Sequence, residues 1–151
     1  MIGCRHCCYF EIRMLDYLRT PSLKFHMSTQ KRGNVLLVDG NALVTRFLTI
    51  KLQNAGYCVV LAKDAGEAKK QAGHTKQFDL VALASSILED DREAAKELRE
   101  SLGCPVMAYG FSQLTFQEQQ QLHLDYYFER FIEPDDFLKA IELAISRKKA
   151  F

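Results

Sequence analysis

Between Asn34 and Gly56 the chain changes from an unbroken apolar run to a helical stripe. Val35, Leu36, Leu37 and Val38 are all apolar and partly β-branched, which predicts a strand buried on both faces. The run stops at Asp39-Gly40-Asn41. Asn41 is placed to cap a helix, and Val44, Leu48 and Leu52, flanked by Leu43, Phe47 and Ile50, recur at spacings of three and four until Gly56. The unit is a buried strand, an acidic tip, an amphipathic helix and a stop. In a parallel α/β sheet such a tip lies at the carboxyl edge, where these folds place their sites, so Asp39 is the first candidate functional residue.

The same alternation continues downstream. Tyr57 to Ala62 predicts a second strand, Asp64 to Ala72 a short helix, and Leu80 to Ala84 a third strand. A helix is expected from about Asp90, with Ala94, Ala95, Leu98 and Leu102 on one face and Gly103 as its stop. Pro105 to Tyr109 predicts the fourth strand, Gln113 to Leu122 a Gln-rich helix, and Tyr126 to Phe128 a short fifth strand. Asp135 to Arg147 closes the chain as a helix with Phe137, Leu138, Ile141, Ala144 and Ile145 inward and basic residues at its negative dipole end. Five strands alternating with five helices predict a five-stranded parallel sheet covered on both faces, a doubly wound (βα)5 domain over residues 31–151.

Residues 1–30 fall outside this pattern and are expected to form a poorly ordered extension, with Met27 as a natural start. Phe10, Met14 and Leu18 do share a helical spacing, which suits a short docking helix. Cys4, His6, Cys7 and Cys8 crowd together there, but adjacent cysteines without a second cluster are a poor zinc signature. Charged residues at Glu11, Arg13, Asp16 and Arg19 interrupt any targeting core, and no apolar run is long enough to span a membrane.

A chain of 151 residues, 48% apolar and 26% charged, is an ordinary globule of one domain. Its 20 basic and 19 acidic residues leave a net charge of +1, too little to draw nucleic acid or an anionic membrane. Cys58 and Cys104 lie in apolar contexts beside predicted strands and read as reduced thiols, which points to the cytoplasm. There is no G-x-G-x-x-G after a strand and no G-x-x-x-x-G-K-S/T, so no nucleotide motif supports an enzyme.

VLLVDGN with its helix to AGY, then AKDAGEA, FDLVAL, CPVM and DYYFERFIEPDDFLKAI, taken in order from Asn34 to Lys149, resembles the receiver domain of two-component response regulators. That family has the CheY-like, flavodoxin-like fold. The resemblance implies a phosphorelay site: an aspartate at the end of the third strand that takes a phosphoryl group from a histidine kinase, with magnesium on an acidic pair at the end of the first. Laid on this chain, the acidic pair falls on Asp39 and Gly40, and the phosphoacceptor position on Ala84. The switch hydroxyl falls on Gly110, followed by Phe111; the lysine falls on Arg130 and its following proline on Phe131. The aromatic switch position, Tyr127, keeps its type.

These replacements carry chemical consequences. A methyl group at Ala84 accepts no phosphate, and Asp39 alone is a poor magnesium ligand, since that ion is usually held by carboxylates together with the phosphate. Arg130 offers a planar fork where an ammonium point is needed, and Phe131 removes the proline that makes a cis peptide accessible. Phe111 and Phe131 are expected to fill the site, and Asp39 to cap the first helix or pair with Arg130. Ser85 and Ser86 lack an activating base, and His74 and His123 are expected at the surface. The sequence therefore predicts a degenerate receiver, without cofactor or catalysis, that binds a protein partner. A histidine kinase, a regulator or a second copy would dock on the Gln113–Leu122, Tyr126–Phe128 and Asp135–Arg147 face. The alternative is a pseudo-receiver that senses a small ligand between Asp39 and Arg130.

Overall fold

The computed structural model describes residues 31–74, 77–110, 112–129 and 134–149. Strands β1 (Gly33–Val38), β2 (Tyr57–Ala62), β3 (Leu80–Ala84), β4 (Val106–Tyr109) and β5 (Tyr126–Phe128) form one parallel sheet in the order β2-β1-β3-β4-β5. Its centre is the least polar part of the chain: every residue of β3 and β4 is buried, and so is β1 from Val35 to Val38. Burial on both faces is why these strands read as continuous apolar runs.

Among the described residues six helices accompany the strands: α1 (Ala42–Asn54), α2 (Ala65–His74), α3 (Ser85–Asp90), α4 (Ala94–Leu102), α5 (Phe116–Gln121) and α6 (Pro134–Lys149). Helix α1 packs against α6 and α2 against α4, and the two pairs cover opposite faces of the sheet, as right-handed crossovers require. Asn41 caps α1, its side-chain oxygen accepting from the backbone N–H groups of Leu43 and Val44 at 3.1 and 3.2 Å. Gly103 ends α4 at φ 61, a left-handed position that suits glycine.

Two helices differ from the sequence expectation. The helix expected from about Asp90 begins at Ala94, and it is preceded by the short helix α3, for which the sequence predicted no element and which is tied down by the buried Ile87 and Leu88. Helix α5 starts at Phe116, not Gln113, because Thr115 forms a capping box with Glu118: its hydroxyl accepts from the Glu118 N–H, and the Glu118 carboxylate accepts from the Thr115 N–H. That carboxylate also accepts from the Thr115 hydroxyl at 2.9 Å, and the two bonds it receives from Thr115, backbone first, hold it below its usual range.

Cys104 is buried and forms no disulfide, as expected. Cys58, half-buried on β2, is disulfide-bonded, which corrects its reading as a reduced residue and removes the support it gave to a reducing compartment. Among the described residues no helix is long and apolar enough to cross a membrane. The extension over residues 1–30 lies outside the described residues.

Candidate functional site

The carboxyl ends of β1, β3 and β4 bring Asp39, Ala84 and Tyr109 into one row. Val38 is level with Leu83 and Ala84 with Tyr109, so Asp39, one residue beyond β1, stands beside Ala84 on the same face. That face is the one covered by α6, whose Phe137 ring meets the Tyr109 ring edge-on at 5.3 Å. The Tyr109 hydroxyl crosses β3 and donates to Asp39 Oδ2 at 2.7 Å. It bridges two strand spacings, roughly 10 Å, and passes over Ala84, whose methyl group leaves room for the ring.

Asp39 is only 8% exposed, and both its carboxylate oxygens are engaged. Oδ2 takes the Tyr109 hydroxyl and Oδ1 takes the backbone N–H of Asn41 at 2.8 Å. Asp39 does not itself cap α1 as expected: that role belongs to Asn41, and Asp39 forms the turn that positions it. Its expected partner Arg130 lies outside the described residues; among those described, Tyr109 is the side chain that meets the Asp39 carboxylate. Burial, followed by the adjacent Asp39 charge and their hydrogen bond, pushes the Tyr109 hydroxyl far above the ordinary phenol range.

The switch-equivalent Gly110 sits against Ser85, the first residue of α3. A Cβ built on Gly110 would lie 1.9 Å from Ser85 Oγ and 2.7 Å from its Cβ, so the Ser85 side chain occupies the place a threonine or serine at 110 would need. Position 110 is a glycine because of this close approach. Ser86 is exposed, as are His74 and His123. Tyr127 is half-buried, and its hydroxyl donates to the Ser112 carbonyl, while Ser112 Oγ donates to Glu89 Oε1 at 3.3 Å. The loop after β4 is thus held from β5 on one side and α3 on the other. Burial, then Glu129 and Glu89, raises the Tyr127 hydroxyl as well.

The residues that the sequence expected to plug the site, Phe111 and Phe131, lie outside the described residues. Tyr109 and Ser85 are the plugs that the structure describes. Neither was singled out from sequence as a filler, and Tyr109 carries no signal apart from a hydroxyl on an otherwise apolar strand. Nor do the residues present fit magnesium: each Asp39 oxygen already accepts a hydrogen bond, Gly40 and Ala84 carry no oxygen ligand on their side chains, and no group of three metal-ligating side chains exists among the described residues. The cavity described in the structure, about 320 Å³, lies elsewhere, between α1 and α6.

No protein-family model matches the sequence, and no curated protein matches it. Solved structures do. A two-component response regulator from Clostridium difficile superposes with a TM-score of 0.68 at 21% identity, over 78% of this chain and 98% of that one. The signal receiver domain of a modulated diguanylate cyclase from Desulfovibrio desulfuricans G20 gives 0.67 at 25% identity, over 78% and 97%. The receiver domain of a sensor histidine kinase from Pseudomonas aeruginosa PAO1, with magnesium ion coordinated in its active site cleft, gives 0.65 at 19% identity, over 76% and 98%. With its five-stranded parallel sheet in the order β2-β1-β3-β4-β5, this chain has the CheY-like fold of the response regulator receiver domains.

Proposed function

We infer that this chain is a degenerate receiver: a protein-protein interaction module of two-component-type signalling that works without aspartyl phosphorylation and is not an enzyme. The observation that carries the reading is the row Asp39, Ala84, Tyr109. Where a receiver needs an acceptor carboxylate there is a methyl group, and the tyrosine that crosses it consumes an oxygen of the surviving acid. The Pseudomonas domain coordinates magnesium in its cleft; here the corresponding cleft holds a phenol and the Ser85 side chain.

The face formed by α5, β5 and α6 is the favoured docking surface, for a histidine kinase, a regulator or a second copy. Phe116 is 72% exposed at its front, and Tyr126 lies beneath the Arg147 guanidinium, 5.6 Å from the ring centre. The ligand-sensing alternative has less support, because both Asp39 oxygens are already engaged. The test is intact-mass spectrometry after incubation with magnesium and a small-molecule phosphodonor. No phosphoryl adduct is expected on the wild-type chain. An adduct that maps to a residue at the carboxyl edge, such as Ser85, would overturn the reading.

A further inference from the structure

Helix α1 turns Thr45, Leu48 and Leu52 to the core, yet it also carries a second apolar stripe. Leu43, Phe47 and Ile50 follow at i, i+4 and i+7 and are 82%, 45% and 42% exposed. Singly exposed leucines are unremarkable, but here Phe47 and Ile50 form one wall of a concave groove. With Lys51, Asn54 and Ala55 they face Leu138 of α6 across about 320 Å³.

The chain enters the domain beside this groove. The Arg32 backbone N–H donates to the Gly56 carbonyl just past the end of α1 at 2.9 Å, and its guanidinium pairs with Glu142 of α6 at 2.6 Å. Arg32 therefore joins the two helices that form the groove walls. Upstream of that point Phe10, Met14, Tyr17 and Leu18 recur at i, i+4, i+7 and i+8, with Arg13, Asp16 and Arg19 off that stripe and Pro21 as a stop.

We propose that the segment Phe10–Leu18 packs as an amphipathic helix into the α1/α6 groove, its apolar stripe against Phe47, Ile50 and Leu138. Each surface supplies what the other lacks. A helix this short needs an apolar partner to form, and the groove offers Phe47, Ile50 and Leu138 with no partner seated on them among the described residues. Nine residues make a helix of about 14 Å, and α1 with its 13 residues is about 20 Å long. The roughly a dozen residues between Leu18 and Arg32 can span about 40 Å, so reach does not limit docking. The rims also match: Lys51 with Asp135 and Arg32 with Glu142 present both signs, as do Arg13 and Asp16.

The experiment is a pair of amide NMR spectra of the full 151-residue chain, wild type and the triple variant Phe10→Ser/Met14→Ser/Leu18→Ser. The expected result is that the amides of Phe47, Ile50, Lys51 and Leu138 move by more than a line width, while those of Leu36 and Leu83 in the sheet stay put. Phe47→Asp, at a position 45% exposed, should in turn move residues 10–18 to random-coil shifts. Superimposable groove amides in the triple variant would overturn the proposal. So would a dimer in sedimentation that Phe47→Asp breaks and the triple variant leaves intact, since a second copy would then cover the groove.

Discussion

The bond from Tyr109 to Asp39 joins residues 70 apart in sequence across strand β3. Removing the hydroxyl in Tyr109→Phe leaves a buried carboxylate short of a donor and should cost about 1–3 kcal/mol, read from the urea midpoint. The same group gives a pH signature. Because its folded value is raised, the folded chain holds the phenol proton more tightly than the unfolded one. Its contribution is complete below about pH 10, the unfolded value, and is lost as the pH rises, by about 1.4 kcal/mol per unit. Stability above that pH should fall less steeply in Tyr109→Phe than in wild type; equal slopes would remove the hydroxyl from the account. Ala84→Asp, which restores the family's acceptor, should not restore the chemistry. It places a second carboxylate in a 6% exposed site beside Asp39 and should destabilise by about 3 kcal/mol or more. Gly110→Thr meets Ser85 at once and should cost about 1–3 kcal/mol. The double variant with Ser85→Gly should recover much of that loss, and a failure of recovery would show that Ser85 is not the obstacle.

At the scale of elements, what was legible depended on length and burial. The central strands announced themselves because burial on both faces leaves no polar positions in Val35–Val38 or Leu80–Ala84. Helix α1 was legible from its stripe and from Asn41, and Asn41→Ala should cost about 1 kcal/mol in thermal or urea unfolding, since two N–H groups lose their acceptor. Helix α3 was not legible: six residues make fewer than two turns, too few for a period to show, and only Ile87 and Leu88 are buried. The start of α5 could have been read from Thr115-Phe-Gln-Glu118, a capping signature hidden by the glutamine run that follows.

For the molecule as a whole, the alternation of strands and helices was enough to predict the sheet and its two covered faces, and the family resemblance located the site. The losses at Gly40, Ala84 and Gly110 were visible residue by residue. What replaced them was not, because Tyr109 and Ser85 act through contacts across strands that no local pattern encodes. Together they fill the carboxyl edge beside Asp39, and the proposed function places the working surface on the outer helices. The most direct test of that claim is the amide NMR spectrum of the full chain, recorded alone, with magnesium, and with magnesium plus beryllofluoride, a mimic of an aspartyl phosphate. Unmoved resonances at Asp39, Ala84, Tyr109 and Tyr127 are the predicted result. Saturable shifts at Asp39 and Ala84 that extend to Tyr127 would contradict it, and would mean that a phosphate-driven switch survives without its aspartate.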